Sequence, residues 1–219
     1  MTHVIITIYQ LNLPEGGLIA MSKDGIRAFQ ESIQSKIRDL LTEFGDGKVS
    51  NEQFNILYER YNNQLEMALQ AMEGSVPARN GNEVTTIALR RATTGQAVGL
   101  SVYHHRSGTI IETLGTFDVP PDLISPTLND LSKKLEDRAF IEPVTNKLSS
   151  GLWVVFMARQ LTTAIVVFKN EPAPAQIREL ERLLHDFEEA NRNLLIKHDV
   201  ERDKLAKPFI GFVRKKLSQ

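Results

Sequence analysis

The chain has 219 residues, 42% of them hydrophobic and 24% charged, with a formal net charge of −1, an ordinary profile for a globular chain of one large or two small domains. Near-neutral charge gives no global electrostatic reason to expect a nucleic-acid partner, and the absence of cysteine excludes a disulfide scaffold, a thiolate metal site and a cysteine nucleophile. No run approaches the roughly 18 apolar residues of a membrane span, and the opening MTHVIITIYQLNLPEGG lacks the cationic start and long apolar core of a signal peptide, so a cytoplasmic location is expected.

Residues 4–11, VIITIYQL, are rich in β-branched and aromatic types and stop at Asn12 and Pro14, which predicts a strand in need of a sheet. Ser22 is placed to cap a helix whose apolar residues Ile26, Phe29, Ile33, Ile37, Leu40, Leu41 and Phe44 fall at spacings of three and four and end at Gly45 and Gly47. A second helix starts at Ser50 with Gln53 as capping-box partner and carries Phe54, Leu57, Tyr58, Tyr61, Leu65, Leu69 and Met72 before Gly74. The two are expected to form an antiparallel hairpin.

The turn between them, LTEFGDGKVSNEQF, has the outline of a calcium-binding helix–loop–helix. With Gly47 as the obligatory turn glycine, the first, third and last ligand positions fall on Thr42, Phe44 and Gln53, and Asp46 is the sole carboxylate in the ligand frame. Calcium takes roughly six to eight oxygens, with a bidentate Glu at the last position. A glycine-rich turn leading into a capped helix is the reading that fits, and micromolar calcium binding in a calorimetric titration would overturn it.

Residues 75–83, within GSVPARNGNE, read as a linker, and residues 84–93, VTTIALRRAT, fit a strand and a short helix equally. AVGLSVYHH and TIIETLGTF are β-prone runs joined by RSG, a hairpin. In SPTLNDLSKKLED, Ser125 is placed as cap, Pro126 as first helical residue, and Leu128, Leu131 and Leu135 as the buried stripe. FIEPV reads as a short edge strand, since Pro143 is tolerated only at an edge. LWVVFMA and TAIVVFK are nearly continuous apolar runs around RQLT, a hairpin at the centre of a sheet covered on both faces. Ile177, Leu180, Leu183, Leu184, Phe187, Leu194 and Leu195 mark a long helix from Pro174 to about residue 205.

The order strand, strand, helix, strand, strand, strand, helix predicts an α+β fold with a single antiparallel five-stranded sheet and flanking helices, preceded by the N-terminal strand and helical hairpin. AVGLSVYHHRSGTIIETLG resembles the first hairpin of the roadblock/longin group of domains, and GLWVVFMARQLTTAIVVFKNEPAPAQIRELERLLHDFEEANRNLL resembles its last hairpin and terminal helix. The resemblance is one of pattern over residues 97–200; Ser107 stands where Asp is common, and the N-terminal strand and helical hairpin are additions. It implies a non-enzymatic signalling or scaffold protein, a homodimeric platform that binds a small Ras-like GTPase or its regulatory partners. The same alternation is similar to GAF and PAS sensor domains, which implies as an alternative a small-ligand sensor, although the stretch between first and last hairpins is short for such a pocket. The expected organisation is residues 1–74 as strand and helical hairpin, 75–83 as linker, 84–203 as the roadblock/longin-like domain, and 204–219 as a basic, apolar tail.

No catalytic, cofactor-binding or metal-binding residue is assigned. His104 and His105 are adjacent on a strand, which points them to opposite faces and away from a shared ion. The chain has no G-x-S-x-G elbow, phosphate loop or dinucleotide fingerprint. The carboxylates of RELERLLHDFEEANR alternate with arginines at helical spacing, as on a solvated face. The tail DKLAKPFIGFVRKKLSQ is the one candidate contact: Phe209, Phe212, Arg214, Lys215 and Lys216 form an apolar and cationic mixture suited to an anionic membrane surface or a partner's groove. The competing expectation is that Pro208 breaks the long helix and the aromatic pair folds back onto the hairpin domain.

Overall fold

The structure is a computed structural model and describes residues 22–72, 95–136, 141–209 and 212. The strand expected at 4–11, the linker at 75–83 and the ambiguous stretch 84–93 lie outside the described residues.

Helix α1, Lys23–Gly45, begins where Ser22 accepts a hydrogen bond from the Gly25 amide at 3.2 Å, with Asp24 in the first turn favouring the positive end of the helix dipole. It buries Ile26, Ile33, Ile37, Leu40 and Leu41. The chain reverses through Gly47, whose φ of 73° lies in the left-handed region that disfavours a Cβ. Helix α2, Asn51–Met72, opens on the expected capping box: Ser50 Oγ accepts from the Gln53 amide at 3.2 Å, and Gln53 Oε1 accepts from the Ser50 amide at 3.1 Å. Phe44 meets Phe54 with ring centroids 4.8 Å apart near the turn, and Ile26 packs with Ala68 at the far end, so the helices form an antiparallel hairpin.

The sheet comprises β1 Ala97–His104, β2 Thr109–Gly115, β3 Val144–Lys147, β4 Trp153–Ala158 and β5 Thr162–Phe168. Its order is β2-β1-β5-β4-β3, and every neighbouring pair is antiparallel. Helix α3, Pro121–Glu136, connects β2 to β3, and helix α4, Pro174–Leu195, follows β5. The fold is α+β with flanking helices. β5 is central, and all seven of its residues are buried, as a strand covered on both faces and paired on both edges must be.

Alternation along the strands sends side chains to two different helix layers. Leu100, Val102, Val155, Met157, Val166 and Phe168 face a core shared with Leu180, Leu183, Leu184 and Phe187 of α4 and with Ile33, Ile37, Leu40, Phe54 and Leu65 of the helical hairpin. Val154, Phe156, Ile165 and Val167 face the other way, onto Leu128 and Leu131 of α3. The first of these cores joins residues from before and after 75–83. At the end of the β1–β2 hairpin, Gly99 and Gly115 lie opposite one another. A Cβ at Gly99 would run into the Thr116 carbonyl, so the close approach of the two backbones depends on this glycine.

Three boundaries differ from expectation. α3 begins at Pro121, not Ser125, because Pro121 has the same suitability for the first turn and the Pro120 carbonyl accepts from Leu123 and Ile124 amides at 3.0 and 3.2 Å. Pro126 therefore lies inside the helix. β3 starts after Pro143 instead of including it; it is an edge strand, as expected. α4 stops at Leu195, well short of residue 205, and a short 3-10 turn, Arg202–Lys204, follows before the helical residues Phe209 and Phe212. What ends it is tertiary: His104 Nε2 lies 2.8 Å from the Leu195 carbonyl, and Arg106 Nη1 donates to the Ile196 carbonyl.

Candidate functional site

The glycine turn after α1 carries no calcium ligand set. Asp46 is ion-paired with Lys48 at 2.8 Å, and the described residues contain no group of three or more His, Asp or Glu side chains placed to hold a metal. His104 and His105 diverge. His104 is fully buried, bonded to Ser107 Oγ at 2.9 Å and to the end of α4. His105 Nε2 meets Thr163 Oγ1 at 2.8 Å, and burial lowers its pKa below the usual histidine range, countered in part by its contact with the Gln160 carbonyl. Each imidazole is engaged in fastening the sheet.

The aromatic residues of the tail are core residues. Phe209 and Phe212 are buried at 1% and 5% exposure, and the Phe209 ring lies 5.7 Å from that of Phe187 on α4. The segment is held before it reaches them. Asn191 Nδ2 donates to the Ala206 carbonyl at 2.9 Å, while Asn191 Oδ1 accepts from the Ala206 amide at 2.7 Å. Asn51 of α2 donates to the Leu205 carbonyl at 2.8 Å, and Lys207 pairs with Glu112 of β2 at 2.8 Å. The tail thus ties α2, α4 and β2 together, and the rings of Phe209 and Phe212 are buried within the protein. Arg214, Lys215 and Lys216 lie outside the described residues.

Where α1, α2 and α4 meet there is an open cleft of about 530 Å3, floored by Ile37, Leu41 and Leu65 and rimmed by Arg38 and His185. Its inner wall is a polar network. Tyr58 donates to Asp186 Oδ2 at 2.5 Å, Arg182 donates to the same oxygen at 2.9 Å, and Arg182 Nη2 reaches Asn62 at 2.8 Å. Burial raises the Asp186 pKa, with Arg182 and the Tyr58 hydroxyl opposing the rise; burial and the Asp186 charge together push Tyr58 well above the usual phenol value. Bonded to one another, these groups fix the hairpin to α4. A second hollow of about 320 Å3 lies between β4, α3 and α4 beside Arg159. There Glu188 Oε1 accepts from the Leu161 amide at 2.9 Å and from the Thr162 amide and hydroxyl at 2.8 Å, clamping the β4–β5 turn onto α4. Arg159 Nε is buried without a hydrogen bond, 3.7 Å from Glu188 Oε2.

Asp186 and Glu188 depart from the reading of the carboxylates in RELERLLHDFEEANR as a solvated face, since both are buried. The signal was present: Asp186 stands three residues after Leu183, and Glu188 four after Leu184, on the apolar side of the helix. Among the described residues no helix is long and apolar enough to cross a membrane. Among the described residues, Ile56, Met67, Leu69, Ile110 and Ile196 are the large exposed hydrophobic side chains, and β2 and β3 are the outermost strands of the sheet. No protein-family model matches the chain, and no curated protein matches it.

Proposed function

We propose that the chain is a non-enzymatic platform of the roadblock/longin kind, which pairs as a homodimer and offers a surface to a small Ras-like GTPase or to its regulatory machinery. The observation that carries the reading is the sheet order β2-β1-β5-β4-β3, with α3 on one face and α4 on the other. That arrangement supports the resemblance of the two hairpins, although a fold-level likeness is by itself an analogy. The nature of the clefts supports it further. The polar network at the larger one is paired internally, and α3 packs on the sheet through Leu128 and Leu131 in a core with Phe156 and Ile165.

The second reading, a small-ligand sensor, draws on the cleft at Arg38 and His185. Affinity capture from host lysate with GDP, and separately with a non-hydrolysable GTP analogue, tests the first reading. Retention of one small GTPase with one nucleotide only is the expected result; absence under both conditions overturns the GTPase assignment. Light scattering of the 24.7 kDa chain tests the dimer, with twice that mass expected. A metabolite that raises the melting temperature would favour the sensor.

A further inference from the structure

The hollow beside Arg159 holds a cation that the fold leaves incompletely bonded. Arg159 follows β4, and its amide donates to the Thr162 carbonyl at 2.9 Å across the β4–β5 turn, which fixes where its side chain starts. Its Nε is buried with no hydrogen-bond acceptor. The nearby Glu188 carboxylate gives Oε1 to three other donors and leaves Oε2 at 3.7 Å, beyond hydrogen-bond reach. A buried N–H without an acceptor is destabilising, and a planar guanidinium is the side chain best shaped to close on a carboxylate with two parallel bonds. The Arg159 side chain is 39% exposed and lines the hollow, so the guanidinium is within reach of what enters it.

The rest of the lining defines the ligand. Leu135 of α3, Ile141, Pro143, Met157 of β4 and Leu184 of α4 give the hollow an apolar wall, and its volume of about 320 Å3 is that of a site for a small molecule. Glu181 lines it too, one turn ahead of Leu184 on α4. A simple anion drawn to Arg159 would also meet the charges of Glu181 and Glu188. A simple cation drawn to Glu181 would meet Arg159 and leave its Nε without an acceptor. A ligand that carries both charges on an apolar body answers each of these groups. We propose that the hollow binds a free aliphatic α-amino acid of about leucine's size, with its carboxylate on Arg159, its ammonium on Glu181 and its side chain against Met157 and Leu184. The inference is independent of the GTPase reading, because the ligand is held by one chain alone. It is also independent of the cleft at Arg38 and His185, with which this hollow shares no lining residue.

Calorimetric titration of the full chain, with no GTPase present, tests the proposal using L-leucine as the probe. A dissociation constant below about 1 mM is expected. Isocaproate, which is leucine without its ammonium group, and isoamylamine, which is leucine without its carboxylate, should each bind at least about ten-fold more weakly. Arg159→Lys keeps a positive charge opposite Glu188 but loses the two-pronged donation, and should weaken L-leucine about ten-fold. Glu181→Gln removes the partner of the ammonium group and should erase the preference for L-leucine over isocaproate. This second variant changes a half-buried side chain on the rim of the hollow and is expected to melt within about 2 °C of the parent chain, so that its loss is one of binding and not of folding. No heat with L-leucine, equal affinity for the three compounds, or unchanged L-leucine binding in either variant would overturn the proposal.

Discussion

The two faces of the sheet are covered by helices held in different ways. α3 lies on its face through aliphatic contact, with Leu128 and Leu131 against Val154, Phe156, Ile165 and Val167. α4 lies on the opposite face with an apolar core of its own, but also with directional bonds along its length: Gln176 to Gly95, Asp186 to Tyr58, Glu188 to the β4–β5 turn, Asn191 to Ala206, and the Leu195 carbonyl to His104. Apolar contact is tolerant of small displacements, whereas a buried hydrogen bond is lost when the helix slides by part of a turn. α4 is therefore fixed in register, and the hairpin, the tail and the β4–β5 turn are all indexed to it.

If this contrast is right, shape-preserving substitutions should be harsh on α4 and mild on α3. Asn191→Leu keeps the branched outline of the side chain but leaves the Ala206 amide and carbonyl buried without partners, and is expected to cost about 3 kcal/mol in urea unfolding. It should also release the tail, seen as tryptic sensitivity after Lys204. Glu188→Gln retains one acceptor for the Leu161 and Thr162 amides while removing its charge, with an expected cost of about 1.5 kcal/mol. Leu131→Met on α3 should cost less than about 1 kcal/mol. A loss at Leu131 equal to that at Asn191 would end the distinction.

The finest test is pH. Asp186 has a raised pKa in the folded protein, so its contribution is fully present below the ordinary carboxylate value of 3.8 and is lost as pH climbs through the raised folded value. His105 has a lowered one, so its contribution is present above the ordinary 6.5 and is lost as pH falls toward the depressed folded value. Stability measured against pH should therefore lose a downward component with rising pH in Asp186→Asn, and an upward component in His105→Gln. Slopes of the same sign in both would contradict the assigned environments.

Local chemistry made much of this fold readable in the chain. Ser22, Ser50 and Gln53 announce the helix starts because a cap is an interaction of neighbours, and β4 and β5 announce themselves as unbroken apolar runs. The misplacements arise where distant residues decide. Nothing in LLIKHDVERDKL stops a helix, but His104 and Arg106 take up its last carbonyls and Asn191 turns the chain back at Ala206. Pro126 drew the start of α3 to itself because a proline in sequence does not reveal whether Pro121 has already begun the turn. The polar network at Tyr58, Arg182 and Asp186 was hidden for the same reason, since its partners come from helices far apart in the chain.

The central position of β5 also constrains how the protein is made. Among the described strands β5 is the last to leave the ribosome, yet it is the one that joins β1 to β4. Until it arrives, the β1–β2 hairpin waits with Leu100 and Val102 uncovered and the inner edge of β1 vacant. TTAIVVF itself, apolar and uncharged over most of its length, is the kind of segment that stacks with copies of itself when left outside a fold. Substitutions that slow the closure of β5 between β1 and β4 are therefore expected to lower the yield of folded protein even where they leave its final stability unchanged.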